Sequence, residues 1–440
     1  MARVWKQLVI GAACTLLGLT ARADDWPQWL GPLRDGRWRE TGIVTKFPSQ
    51  GLTLRWRAPV AHGYSGPSVA QGKVYVTDYV IESGKLINDP SQPVDLSGQE
   101  RVLCLDAARG TLVWKHEYPC TYHISFPGGP RAAPTLAGGK VYTIGAMGDL
   151  CCLDANSGKP AWSKDLKKEY KTGAPLWGFS GHPLVDGKKL ICLVGGPGSV
   201  VVAFDKDSGK ELWRALSARE PGYCSPVIVE AGGRRQLIVW HPESINGLDP
   251  ETGRVFWSER LTPSYGMAIA TPRAEGEYLF GSGVGNAALL LKFNRAQPKV
   301  ETVWRGDAQT AVYCGTSTPS IDRDLIFGVC RQGELRAVDL LTGKRLWETF
   351  AATTGSRRQA YATAFLVRHQ HGYFLFNEQG DLILAQLGRD GYREISRHHL
   401  LAPTNEAFGR AVVWSHPAFA NRCVYARNDK ELICVSLAAE

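Results

Sequence analysis

Few residues of this 440-residue chain carry chemistry by type and spacing. Four acids, Glu220, Glu243, Asp307 and Glu406, stand near the heads of β-rich runs, each alone. Calcium takes about six to eight oxygen ligands, usually with several carboxylates among them, and general acid–base catalysis wants acids held close together. No pair of acids here is spaced for either task. His62, His182 and His416 are single histidines on separate segments, and His398-His399 sits in a polar, loop-like stretch. Histidines scattered this way suit hydrogen-bonded structure rather than a metal site. The glycine-rich "GSGVGN" (281–286) and "GGPGS" (195–199) each join two β-rich runs with no helix following, so they read as turns and not as nucleotide cradles. Cys151 and Cys152 are adjacent in "GDLCCLD", mid-strand, where neighbours point to opposite faces.

One constellation remains. Aromatic or basic residues precede a series of short segments in which a small residue, usually before Pro, heads a strand. They are His62, Tyr64, Arg131, Trp177, Phe179, Tyr223, Tyr265, Tyr313, Arg358, Tyr361, Arg410 and Trp414. If the segments share one face, these side chains ring one opening. Such a ring either binds a planar, anionic or carbohydrate-like ligand or a peptide, or closes the opening by packing.

The elements that must position this ring come from a repeat. "LDAARGTLVW" ends at Trp114, "LDANSGKPAW" at Trp162, "FDKDSGKELW" at Trp213, "LDPETGRVFW" at Trp257 and "VDLLTGKRLW" at Trp347. The Asp side chain can accept hydrogen bonds from a turn backbone, and the Gly can take positive φ, so the motif reads as a hairpin turn followed by a strand carrying Trp. The strand-head segments are "SGPSV" (65–69), "AAPTL" (132–136), "SGHPL" (180–184), "CSPVI" (224–228), "ATPRA" (270–274), "TSTPS" (316–320), "ATAFL" (362–366) and "SHPAF" (415–419). Eight units of four strands, with a period of roughly 47 residues, predict an all-β, eight-bladed β-propeller. A polar insertion around 87–99 lengthens the first unit. In this reading the Trp residues wedge each blade against its neighbour. Unit five keeps only Trp304, unit seven has Ile395 in the Trp place, and unit eight lacks its fourth strand. The missing strand is predicted at the front, in "LTLRWRAP" (52–59) with Trp56, closing the ring.

The Asp-x-x-[Thr/Ser]-Gly-x-x-x-Trp repeat resembles the tryptophan-docking repeat of the quinoprotein alcohol dehydrogenases. It is also similar to that of the pyrroloquinoline quinone (PQQ)-like repeat proteins, which include the outer-membrane β-barrel assembly lipoprotein. "DWPQWLGPLRDG" (25–36) resembles the start of many secreted PQQ-like repeat proteins of uncharacterised function. The resemblance implies the fold across nearly all of the chain, and it leaves activity open. The dehydrogenases hold PQQ over the channel with Ca²⁺, use an Asp base, and often stack PQQ on a disulfide between adjacent cysteines. Cys151-Cys152 is not carried into that role, because it sits in a strand and not in a loop. The expectation is therefore a binding or scaffold protein with no cofactor. A PQQ- and calcium-dependent oxidoreductase is the alternative.

Residues 1–23 read as an export signal, with Arg3 and Lys6 before an apolar run over 8–20 and Ala21-Arg22-Ala23 at its end. The run is too short to span a bilayer comfortably. Residues 24–51 are a lead-in and 52–440 the propeller, in the periplasm or outside the cell. Removing Arg3, Lys6 and Arg22 lowers the formal charge from +9 to +6. No Lys/Arg cluster marks a nucleic-acid face, and a monomer is expected. Cys104, Cys152, Cys192, Cys330 and Cys434 read as buried small hydrophobes, while Cys120, Cys224 and Cys314 fall in loop-like segments open to pairing.

Overall fold

A computed structural model describes residues 24–370 and 372–439; the export signal predicted at 1–23 lies outside them. Eight sheets are arranged as blades, each of four antiparallel strands. Blade one runs Ser68–Ala70, Lys73–Ser83, Val94–Asp106 and Leu112–Ile124 from the inner to the outer strand. The short inner strands of successive blades touch one another around the channel. Each follows one of the strand-head segments named above, such as Thr135–Ala137 after "AAP" and Leu184–Asp186 after "SGHP".

The repeat motif is the turn between third and fourth strands. In blade two, Asp154 accepts hydrogen bonds from the backbone N–H of Asn156 (3.1 Å) and Ser157 (2.9 Å), and Gly158 has φ +70°. The Trp of the preceding blade lies on this turn. The Trp114 indole N–H donates to the Ala155 carbonyl at 3.1 Å, and a Cβ on Gly158 would stand 2.5 Å from its ring. The Gly is therefore required twice, by its dihedral and by the indole resting on it. Trp56, Trp162, Trp304 and Trp347 donate likewise to Ala107, Lys206, Leu340 and Gly388.

Two positions depart from this pattern. Trp257 turns back to Gln236 of its own blade, at 2.7 Å, where the next turn has Asn294 in place of Asp. The Trp213 indole N–H is buried without a partner, although its ring still covers Gly253.

The ring closes as predicted. Leu54–Pro59 is the outer strand of blade eight, antiparallel to Glu431–Ser436, with Trp56 opposite Cys434. The lead-in before it does more than precede the propeller. Trp26 exchanges backbone hydrogen bonds with Val69 of blade one, and Pro27 accepts from Leu136 of blade two. Arg34 donates to the carbonyls of His182 (3.1 Å) and Pro183 (2.9 Å) in blade three. Arg273 of blade five donates back to the Arg34 carbonyl at 2.8 Å. Arg37–Trp38 then adds a parallel strand to Ala364–His369 of blade seven. Trp26 and Trp38 are only 2% exposed, so this segment fills the channel with side chains.

The ten described cysteines are all buried free thiols. The loop assignment of Cys120 is corrected: it lies within the strand Leu112–Ile124, which extends further than propensity suggests because it pairs with an equally long neighbour. Cys314 bridges to Cys330 through backbone pairing.

Candidate functional site

One mouth of the channel opens into a cavity of about 670 Å³. From the predicted ring, Tyr64, Arg131, Trp177, Tyr223, Tyr265, Tyr361 and Trp414 line it. The others lie outside. Phe179 is buried between blades against the Gly148 turn, and Tyr313 is buried with its hydroxyl bound to the Asp307 carbonyl. His62 faces Asp429 at 3.8 Å. Arg358 is exposed to solvent on the 350–361 strap. Arg410 forms a bidentate pair with Glu378, at 2.8 and 3.0 Å, and Glu378 also accepts from the Trp414 indole at 3.1 Å. Arg410 thereby helps fix Trp414 from behind the wall.

The floor comes from the lead-in. Trp29 stacks on His182, with ring centroids 4.3 Å apart, and meets the His416 ring edge-on at 4.4 Å. Its indole N–H donates to Thr271 at 3.0 Å. The two histidines, far apart in sequence, thus share one site. His182 Nδ1 accepts from the Ala133 N–H at 2.8 Å, and His416 Nε2 accepts from the Gly66 N–H at 3.2 Å. An accepting ring nitrogen carries no proton. Burial agrees with this, holding the His182 pKa well below its ordinary value and bringing His416 down to about 3.

Three irregular segments build the rim. The 84–93 loop brings Pro90 and Ser91 to the cavity, and its Asn88 amide donates to Asn405 (2.6 Å) and to the Glu406 carbonyl (2.7 Å). Asn405–Ala407 and Arg410–Val412 form a hairpin of their own. The 350–361 strap, this hairpin and two turns elsewhere in the lining carry aromatic rings in an unusual backbone state. Phe126, Tyr265, Tyr361 and Phe408 line the cavity with φ of 50°, 60°, 56° and 50°. The left-handed region costs a non-glycine residue on the order of 1–2 kcal/mol. Such strain persists where the surroundings impose it, and it concentrates at functional sites.

Sequence reasoning missed Trp29, Phe126, Arg331 and Phe408, which line the cavity with His182 and His416. No periodic pattern marks them, since each lies in a lead-in, a turn or an insertion. Arg331 follows Cys330 just before the recurring Gly-Glu-Leu hairpin, and that was its only sequence signal.

The lining contains no carboxylate and no carboxamide side chain. Its neutral oxygen donors are hydroxyls of Ser, Thr and Tyr, a poor set for calcium. Among the described residues, no three His, Cys, Asp or Glu side chains converge to hold a metal ion. Cys151 packs with Trp114 and Cys152 with Phe204, on opposite faces of their blade and away from the cavity lining. These residues do not fit a calcium-bound quinone stacked on a disulfide.

Fold and mouth define an eight-bladed propeller with an aromatic-lined cavity floored by its own N-terminal segment. The profile of the family described as outer membrane protein assembly factor BamB matches residues 98–347 and 197–439, and the chain belongs to that family. An outer membrane protein assembly factor BamB of Shewanella oneidensis is 24% identical over 253 residues, covering 54% of this chain and 61% of that protein. The quinohemoprotein alcohol dehydrogenase ADH-IIG of Pseudomonas putida is 33% identical over 249 residues, 48% of this chain but only 30% of the enzyme. The chain thus spans less than two thirds of either relative. The crystal structure of BamB from Moraxella catarrhalis superposes with a TM-score of 0.57 at 16% identity, covering 88% of this chain and 98% of that one, which is a likeness of fold.

Proposed function

We propose that this protein is an exported binding or scaffold propeller that takes up an apolar group at the channel mouth, without PQQ, calcium or catalytic turnover. The observation that carries this reading is the cavity, in which four aromatic residues are held at positive φ. A surface that only needed to be filled would not require rings on costly backbone, because packing is satisfied by many side chains of similar volume. The lining supports a cofactor-free reading, since it has no carboxylate to serve as general base or as metal ligand. Membership in the BamB family supports a scaffold role, and the export signal read at 1–23 supports a place beyond the cytoplasm.

The test is a fluorescence titration of the mature chain with the neutral dye N-phenyl-1-naphthylamine. One saturable site is expected, weakened in Trp177→Ala and Trp414→Ala by more than their melting temperatures fall. Calorimetry with PQQ plus Ca²⁺ should give no stoichiometric heat. Stoichiometric PQQ uptake with dye-linked alcohol oxidation would replace this reading with the oxidoreductase.

A further inference from the structure

The cavity wall holds two arginines in similar aromatic company, and they differ in one respect. The Arg131 guanidinium lies 5.1 Å from the Tyr64 ring centroid and donates to the carbonyls of Ser125 (3.0 Å), Phe126 (2.6 Å) and Gly129. Its donors are already engaged. Arg331 lies 5.2 Å from the Tyr361 centroid and 5.9 Å from that of Tyr265. Among the described residues its guanidinium forms no ion pair, and its Nε is buried without a hydrogen-bond partner. A guanidinium offers about five N–H donors, and an enclosed donor left unpaired is costly.

The fold places this cation deliberately in space. Arg331 sits at the hairpin between Leu325–Val329 and Leu335–Asp339. Its carbonyl accepts the Tyr361 N–H at 2.6 Å, and the Gln332 carbonyl accepts the Gln359 N–H at 3.0 Å. The strap is thereby clamped over the hairpin, with the Tyr361 ring on the guanidinium. A second unpaired donor, the Tyr223 hydroxyl, is buried elsewhere in the lining on a residue 4% exposed.

We propose that the occupant is a compact amphipathic molecule with an aromatic body and a single anionic group, and that Arg331 anchors that group. This rests on the cavity being the binding site. The volume lies within the span of about 300–1,000 Å³ usual for small-molecule sites, and the Trp29 floor stops a chain from threading through. The walls present Trp177, Trp414, Phe126 and Phe408, which match flat apolar surface. A carbohydrate would bury hydroxyls where no carboxylate or amide can pair them. A polyanion would need further free cations, and Arg131 is already engaged by carbonyls.

Displacement of N-phenyl-1-naphthylamine from the full mature chain tests this with two isosteric competitors, naphthalene-2-carboxylate and naphthalene-2-carboxamide. A hydrogen bond to a charged group corresponds to about a tenfold or larger preference. The carboxylate should therefore displace the dye at about one tenth the concentration of the amide, less so at high salt. Arg331→Gln should abolish the preference, read as the ratio of the two competitors' midpoints so that any change in dye affinity cancels, and Arg331→Lys should restore part of it. Arg331→Gln gives up the guanidinium contacts with the Tyr361 and Tyr265 rings, so its melting temperature should fall only slightly while the competitor preference is lost outright. Equal displacement by both competitors, or a preference that survives Arg331→Gln, overturns the anchor while the dye site stands. A dye that finds no saturable site in wild type overturns the cavity reading and this inference together.

Discussion

The outer edge of the propeller and its channel mouth are built on opposite principles. At the edge, one device is repeated: an Asp-capped turn with a left-handed Gly receives the indole of the preceding blade, as Trp114 on Gly158 and Trp56 on Gly110. At the mouth, residues at repeat positions such as Trp177 and Trp414 are joined by others that no repeat supplies. Trp29 comes from the lead-in, Pro90 from an insertion, Tyr361 from a strap and Phe408 from an extra hairpin. The edge spends its side chains on blade-to-blade adhesion, which any propeller of this kind needs. The mouth departs from the repeat and holds aromatic rings in strained backbone. The difference teaches where activity is to be sought, because function resides in sites grafted onto a fold.

The comparison breaks most severely if the N-terminal segment is removed. Deleting residues 24–60 takes away both the outer strand of blade eight and the channel filling. Aggregation or a loss of cooperative unfolding is expected, read by size-exclusion chromatography and a denaturant curve. A monomer unfolding as sharply as the full chain would show that neither contribution matters.

Single substitutions at the edge come next. Trp114 is buried and fully docked, so Trp114→Ala should cost about 3–5 kcal/mol in a urea titration. Trp213 is half-buried with no partner for its indole N–H, so Trp213→Ala should cost about 1–2 kcal/mol less. Equal losses would remove the hydrogen bond from the docking account.

The mouth should respond to milder acid than the edge, whose turn carboxylates, such as Asp154 and Asp205, are held below the usual carboxylate range by hydrogen bonds within the turn. His182 and His416 are held neutral, with folded pKa values below that of an unfolded histidine. Their contribution is therefore fully present above about pH 6.5, and it is lost as pH falls from there toward about 3. Each should remove at most about 1.4 kcal/mol per pH unit over that window. Unfolding curves at several pH values measure this, and His416→Gln should flatten the slope. An unchanged slope in that variant would place the acid sensitivity elsewhere.

The smallest effect separates binding from stability. Tyr265 has φ 60° and is 67% exposed. Tyr265→Gly relieves the left-handed strain, and the extra freedom of the unfolded glycine offsets part of that gain. Stability should be unchanged or raised by up to about 1 kcal/mol, while dye affinity falls threefold or more. A clear loss of stability would mean that the ring is there for packing.

Seven residues of the lining were legible in advance. Tyr64, Trp177, Tyr223 and Trp414 lead into inner strands at repeat positions, so knowing the repeat placed them on one face. Phe179 and Tyr313 satisfy the same rule and point into blade interfaces instead, a choice made by the neighbouring turn and not by the position in the repeat. His182 and His416 read as lone histidines because the chain separates them by most of the ring. Only closure of the propeller brings their centroids to 5.5 Å.

The sequence by itself determined the repeat, and with it the propeller, the hairpin turns, the docking indoles and the strand that closes blade eight. Those features follow from local turn chemistry and strand periodicity, which recur at a fixed spacing and therefore show in one dimension. Tertiary structure alone decided that the lead-in fills the channel, that Trp29 floors the cavity between two distant histidines, and that the Arg331 Nε is left without an acceptor while Arg131 is cradled by carbonyls. Each of these depends on which long-range contacts satisfy a buried polar group. That is settled by where loops of no regular pattern come to rest, and the order of residues does not encode it locally.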